Sequence, residues 1–200
     1  MEYYKKPRVI IFGGGFNPPT SAHAKIASAC LALDGFEQVW MMPSGDRWDK
    51  KMASTDTDRI AMLNLMKSDV FNNDPRLSVI DFELNLPRPT QTIKTIGCLA
   101  ASYSDIDFWY CYGSDSYLDM PTWSNGQELQ KNLNMIVISR DSQEITERPG
   151  LINLKLELDE SSTMVREAVC SGLPIDRMAC GAVEQYIIKN SLYREGLPVS

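Results

Sequence analysis

Short apolar runs alternate along the chain with stretches of helical periodicity. Val9-Ile10-Ile11-Phe12 is a compact run rich in β-branched residues that stops at three glycines, the pattern of a parallel strand buried on both faces as it enters a loop. A helical stretch follows from about Thr20 to Leu33, and Val39-Trp40-Met41-Met42, closed by Pro43, predicts a second strand. Ile60, Leu63, Met66 and Val70 recur at helical spacing after Asp58. Leu77 to Leu84 reads as extended, Thr92 to Ser102 as a helix, and Phe108 to Tyr112 as a third buried strand ending at Gly113. Beyond a loop and a short helix near Gln127, Met135-Ile136-Val137-Ile138 predicts another strand. From Leu154 a last strand leads into a helix near Ser162, and Val183 to Lys189 predicts a closing helix. Asp141 to Gly150 reads as a polar loop, and neither an internal repeat nor a Gly/Ser-rich linker divides the chain.

Strand–helix alternation of this kind predicts an α/β fold with a doubly wound, mostly parallel sheet. A single domain over residues 1–200 is expected, with 160–200 as its C-terminal helical part. In such sheets ligands bind beyond the carboxyl ends of the strands, where the strand order reverses. Two of the strands end in Gly13 and Gly113.

Composition adds boundaries rather than a direction. A chain of 200 residues with 44% hydrophobic and 23% charged side chains is ordinary for a globular protein. Its net charge of -6 argues against a general grip on nucleic acid, which needs a basic face to displace counterions. Cys30, Cys98, Cys111, Cys170 and Cys180 are scattered, odd in number and free of C-x-x-C spacing. They read as reduced, mostly buried thiols of a cytoplasmic protein, with no zinc site and no disulfide framework. No apolar run approaches the roughly 20 residues of a membrane span, and Met1 to Lys6 leads into no signal-peptide core. The pattern sets no oligomeric state.

Gly13-Gly14-Gly15-Phe16-Asn17-Pro18-Pro19-Thr20-Ser21-Ala22-His23 carries the most chemistry. Glycines after a strand let backbone N–H groups approach an anion. Pro18-Pro19 stiffens the exit towards a helix starting at about Thr20. That sets a helix N-terminus, with roughly half a positive charge, beside the loop. Thr20 and His23, three residues apart, would share one helix face and project towards a bound phosphate. The dinucleotide fingerprint G-x-G-x-x-G is excluded because Pro18 stands where its last glycine belongs, and no Gly-Lys-Ser/Thr follows to make a Walker A loop. His23 is the only histidine in the chain.

These residues resemble the nucleotidyltransferase superfamily marked by (H/T)-x-G-H, and within it the bacterial nicotinate mononucleotide adenylyltransferases. Members of that family begin with a strand and a G-G-S/T-F-N/D-P-x-H-x-G-H pattern. The family's second signature, I-S-S-T-x-I/V-R, is similar to Glu160-Ser161-Ser162-Thr163-Met164-Val165-Arg166. Looser likenesses fill the interval: Arg88-Pro89-Thr90-Gln91-Thr92-Ile93 resembles the substrate segment, Gly113-Ser114-Asp115 a Gly-Ala-Asp strand end, and Val183 to Tyr193 the closing helix with its Leu-Tyr end. Four positions depart from the family: Thr20 replaces the first histidine, Ala22 a glycine, Gln91 a tyrosine and Gly15 a hydroxyl residue.

The resemblance implies a Rossmann-like nucleotidyltransferase fold and transfer of AMP from ATP to nicotinate mononucleotide, a step of NAD biosynthesis that releases pyrophosphate. It implies His23, Thr20 and Arg166 as catalytic, with His23 and the backbone of Gly14 and Gly15 at the α-phosphate. Phe16, Lys50, Gly113, Asp115, Ser161, Ser162 and Thr163 are assigned to ATP, the hydroxyl residues to its β- and γ-phosphates. Asn17, Thr90, Thr92 and Trp123 are assigned to the acceptor, Trp123 by stacking on the pyridine ring. Plainer readings stand beside these: Ser161 to Thr163 as a helix cap, Lys50 and Lys51 as solvated charges, Arg59 as a cap or ion pair, and Trp123 as core. Mg²⁺ is expected with the ATP, bound by phosphates and water with no protein ligand set assigned. Small molecules are the expected partners, with neither nucleic acid nor membrane. Two alternatives stay open: the same chemistry on 4′-phosphopantetheine, favoured by Thr20, and a nucleotide-binding module without catalysis.

Overall fold

The computed structural model describes residues 5–45, 52–139 and 145–194. Six strands lie in it: Arg8–Gly14 (β1), Gln38–Pro43 (β2), Leu77–Val79 (β3), Asp107–Gly113 (β4), Met135–Ser139 (β5) and Leu151–Lys155 (β6). They form one sheet in the order β3-β2-β1-β4-β5-β6, with every pairing parallel. Parallel neighbours need crossover connections, and helices supply them. Ser21–Leu31 (α1) joins β1 to β2, Asp56–Phe71 (α2) joins β2 to β3, and Thr92–Ser102 (α3) joins β3 to β4. Ser114–Asp119 (α4) and Gly126–Asn132 (α5) precede β5, while Ser162–Cys170 (α6) and Gly181–Lys189 (α7) follow β6.

The chain steps outward from β1 to β3, then returns to place β4 on the other flank of β1. Strand order therefore reverses between β1 and β4, where Phe12 pairs with Cys111. The ligand crevice of a doubly wound sheet belongs beyond the carboxyl ends of this pair. Both faces are covered, so the strands read as continuous apolar runs, and all five residues of β5 are buried. Along β1 the side chains alternate. Ile10 and Phe12 join a cluster with Ala27 and Cys30 of α1, Met62, Leu63 and Met66 of α2, Val165 of α6 and Val183 of α7. Val9 and Ile11 face the opposite layer with Leu99 of α3. A third cluster packs Tyr117, Met120 and Leu129 on Met135 and Val137.

Three expectations change. The extended stretch expected to Leu84 stops as a strand at Val79, and Phe82–Asn85 is a 3-10 turn. The α2 face that meets the core is Arg59, Met62, Leu63 and Met66, whereas Val70 is 41% exposed, so the stripe is rotated from the apolar residues alone. The short helix α4, which begins directly at the end of β4, carries no apolar period that would announce it. Among the described residues no helix is long and apolar enough to cross a membrane.

Candidate functional site

The loop after β1 departs from the sheet through a left-handed residue. Phe16 sits at φ 45, a conformation that costs a non-glycine residue about 1–2 kcal/mol. Its ring is 1% exposed, edge-on to Phe12 at 5.3 Å and tilted over His23 at 5.0 Å, and that packing offsets the cost. Gly14 packs closely under this ring, and an added Cβ would lie 3.3 Å from it. At Gly13 and Gly113 an added Cβ would meet nothing within 4 Å, so the ends of β1 and β4 open onto free space.

Thr20 caps α1, and its backbone N–H donates to His23 Nδ1 at 3.0 Å. A backbone amide can only donate, so Nδ1 is the unprotonated nitrogen and the neutral ring carries its proton on Nε2. The Thr20 hydroxyl also lies 2.8 Å from Nδ1. Burial pushes the His23 pKa down to about 4, so the imidazole is neutral at pH 7. Thr20, expected to face a phosphate together with His23, is 1% exposed and sets its hydroxyl on His23. It orients the imidazole, whose Nε2–H becomes the donor.

The second signature closes on the same loop. Ser161 caps α6 by accepting from the Met164 N–H at 3.2 Å. Ser162 Oγ donates to the Pro18 carbonyl at 2.8 Å, and Arg166 Nη1 donates to the Asn17 carbonyl at 2.8 Å. Arg166 Nη2 reaches Thr163 Oγ1 at 3.1 Å. Lys25 of α1 pairs with Glu160 at 3.6 Å. Ser162, expected at the phosphates, thus uses its hydroxyl to tie α6 to the loop, while Ser161 and Thr163 stay exposed. Asn17, expected at the acceptor, is 7% exposed, and its Oδ1 accepts from Ser54 Oγ at 2.7 Å and from Tyr193 OH at 2.8 Å. Its side chain holds the loop to Ser54 and to Tyr193 of the C-terminal segment.

Two further residues join this site: Arg59, which the sequence leaves open between a triphosphate contact and a cap or ion pair, and Glu83, which it does not mark. Arg59 is 0% exposed and donates from Nη1 to the Gly15 carbonyl at 3.0 Å and the Ser44 carbonyl at 2.7 Å. Its other terminal nitrogen pairs with Asp56 at 2.5 Å. A charged residue on the apolar stripe of an otherwise amphipathic helix was the available signal. Glu83 accepts from the Gly45 N–H at 3.0 Å and from Thr90 Oγ1 at 2.9 Å, and no spacing in the sequence marks it.

On the β4 side, Trp123 is half-buried, with Nε1 donating to Asp119 at 3.0 Å and its ring 6.0 Å from Tyr112 in an edge-on contact. Burial raises the Tyr112 phenol far above its ordinary value, with smaller contributions from Tyr110, Glu83 and Cys111. Asp115 is exposed at the first turn of α4, and Thr92 opens α3 directly after Thr90 and Gln91. Lys50 lies outside the described residues. Among the described residues, no three His, Cys, Asp or Glu side chains form a group that could hold a metal ion. His23, with its proton on Nε2, and the Arg166 guanidinium are brought to one loop, groups suited to a polyanion.

Comparison with known proteins is consistent with that chemistry. The model of the cytidylyltransferase-like family matches residues 11–168. A protein of Synechococcus sp. (strain JA-3-3Ab) named "Probable nicotinate-nucleotide adenylyltransferase" is 31% identical over 199 residues, covering 93% of this chain and 94% of its own length. A protein of the same name from Halalkalibacterium halodurans is 29% identical over 194 residues, covering 94% of this chain and 91% of its own. Among solved structures, the nicotinic acid mononucleotide adenylyltransferase of Plasmodium falciparum complexed with NaAD superposes with a TM-score of 0.81 at 22% identity, over 96% of this chain and 100% of that one.

Proposed function

Because the chain belongs to the cytidylyltransferase-like family and, within it, to the nicotinate-nucleotide adenylyltransferases, we propose that it transfers AMP from ATP to nicotinate mononucleotide. The products are nicotinate adenine dinucleotide and pyrophosphate, a step of NAD biosynthesis. A phosphate oxygen of the acceptor attacks the α-phosphorus of ATP in line. The new P–O bond forms as the bond from the α-phosphorus to the bridging oxygen breaks, and pyrophosphate leaves with that electron pair. No group on the protein needs to become covalently attached. Catalysis rests on holding two polyanions in line and on stabilising the charge that develops on the α-phosphate.

We assign that charge to the His23 Nε2–H and to the backbone N–H groups of Gly14 and Gly15. The neutral ring suits the task, because its donor is fixed by Thr20 and no proton has to be lost before it acts. Arg166 and the α6 N-terminus, with Ser161 and Thr163, are assigned to the β- and γ-phosphates, together with Lys50. Phe16 shapes the nucleotide side, and Gly113 and Asp115 line its ribose. Thr90, Thr92 and Trp123 are assigned to the acceptor, with the indole as the stacking surface. Mg²⁺ would accompany the ATP, held by phosphates and water, and would supply charge neutralisation for the leaving group. All five cysteines are free, which supports a cytoplasmic setting, but only Cys30 and Cys111 are buried, against the expectation that most would be.

One observation carries this reading. The two signature segments, separated by most of the chain, meet through Arg166 with Asn17 and Ser162 with Pro18, each at 2.8 Å. The test is pyrophosphate release from ATP with nicotinate mononucleotide, nicotinamide mononucleotide and 4′-phosphopantetheine supplied in separate reactions. Nicotinate mononucleotide should give the highest kcat/KM; preference for 4′-phosphopantetheine, or ATP binding without release from any acceptor, would reject the proposal.

A further inference from the structure

Glu83 lies in the 3-10 turn between β3 and α3, outside both signature segments. Its Oε1 accepts two hydrogen bonds from different parts of the chain, the Gly45 N–H at 3.0 Å and Thr90 Oγ1 at 2.9 Å. Gly45 follows the end of β2, and the preceding Ser44 N–H donates to the Gly14 carbonyl at 2.8 Å. A short line of hydrogen bonds therefore runs from the phosphate loop through Ser44, Gly45 and Glu83 to Thr90. The approach is close, since a Cβ on Gly45 would lie 2.9 Å from Thr90 Oγ1.

A second line runs parallel to the first. Arg59 holds the Gly15 and Ser44 carbonyls, and Asp56 pairs both with Arg59 and with Arg88, two residues before Thr90. Burial pushes the Asp56 carboxyl up, but hydrogen bonds and charge from Arg59 and Arg88 outweigh it and hold the group below the usual carboxylate range. Two carboxylates thus fasten the segment 88–92 to the loop that carries Gly14 and Gly15.

We propose that Glu83 and Asp56 form a two-carboxylate latch that sets the distance between acceptor segment and phosphate loop, with Glu83 a positioning residue for the acceptor half of the reaction. This rests on the acceptor role proposed above for Thr90. Removing the Glu83 carboxylate leaves the Gly45 N–H and the Thr90 hydroxyl without their shared acceptor, while Arg59 still holds the nucleotide loop. The effect should therefore fall on one substrate.

The test combines kinetics with hydrogen exchange on the whole chain. Glu83→Ala should raise KM for nicotinate mononucleotide about tenfold, the scale of one hydrogen bond to a charged group, with KM for ATP within about twofold. Glu83→Gln, whose carbonyl oxygen can accept the same two bonds, should stay within about threefold of the parent for both substrates. Without substrate, amides of residues 86–95 should exchange faster in Glu83→Ala and at the parent rate in Glu83→Gln. If Glu83→Ala does not fold, Gly45→Ala opens the same gap by forcing Thr90 away and should give the same one-sided rise. Equal rises in both KM values, a fall in kcat with both KM values unchanged, or failure of Gln to restore would overturn the latch. If the parent does not use nicotinate mononucleotide, the acceptor assignment fails and exchange alone judges the latch: unchanged exchange at 86–95 in the variants overturns it.

Discussion

Replacing His23 with alanine removes two interactions of different kinds, and their sizes separate them. On the Nε2 side the variant loses the donor assigned to the α-phosphate. One preorganised donor of this type is worth about 2.7–4 kcal/mol in the transition state, or roughly 10²–10³ in kcat. On the Nδ1 side it strands the Thr20 N–H and hydroxyl, which bond the ring at 3.0 and 2.8 Å in a residue only 1% exposed. That loss belongs to folding, at about 1–2 kcal/mol for a compromised helix cap. For a chain of this length the stability cost corresponds to a fall in Tm of roughly 2–8 °C. No charge is lost at pH 7, because burial holds the ring neutral with a pKa of about 4. The assay is initial-rate formation of dinucleotide at saturating ATP and acceptor, alongside a thermal melt followed by circular dichroism. Thr20→Val is the control: it deletes the hydroxyl but keeps the backbone donor, and should cost kcat less than about tenfold. A His23→Ala enzyme within tenfold of the parent kcat would refute the donor role. A loss of kcat that tracks unfolding at the assay temperature would refute it equally.

Other outcomes follow from the same geometry. The single histidine should titrate by NMR with a midpoint near 4, with Nε2 protonated in the neutral form; a midpoint near the ordinary 6.5 would contradict its burial. The unfolded chain takes up that proton near 6.5 and the folded chain only near 4. Stability is therefore full above pH 6.5 and falls on acidification towards 4, by about 3 kcal/mol at most, which denaturant melts across that window would measure. Arg59→Met should destabilise the fold by about 3 kcal/mol in a urea melt, since it removes a buried guanidinium from the Gly15 and Ser44 carbonyls and leaves Asp56 without it; a change below about 1 kcal/mol would refute the clamp. Trp123→Ala should raise KM for nicotinate mononucleotide with kcat and KM for ATP little changed, whereas an unchanged KM would reduce the indole to its contact with Tyr112.

Much of the fold was legible because its strands are buried on both faces. Val9 to Phe12 and Met135 to Ile138 are apolar without alternation, and each proved to be a strand covered by helices on both sides. Gly13 and Gly113 were legible as the ends of β1 and β4, and open space lies where a Cβ would stand at each. What stayed illegible depends on contacts between distant residues. Nothing local says that Ser162 bonds Pro18, or that Asn17 is enclosed by Ser54 and Tyr193. Residue type suggested that Thr20 offers its hydroxyl to a phosphate, but the cap geometry of α1 turns it onto the imidazole. Arg59 was partly legible as a charge on an apolar stripe; Glu83 became visible only when the turn after the short edge strand β3 set it between Gly45 and Thr90.

The central claim is the transfer itself, and the most direct measurement follows the α-phosphate. With ATP labelled at that position and nicotinate mononucleotide as acceptor, the label should appear in nicotinate adenine dinucleotide, matched mole for mole by unlabelled pyrophosphate, and His23→Ala should slow both together. Label recovered as free AMP or left in ATP, with no dinucleotide formed by the folded protein, would contradict the account.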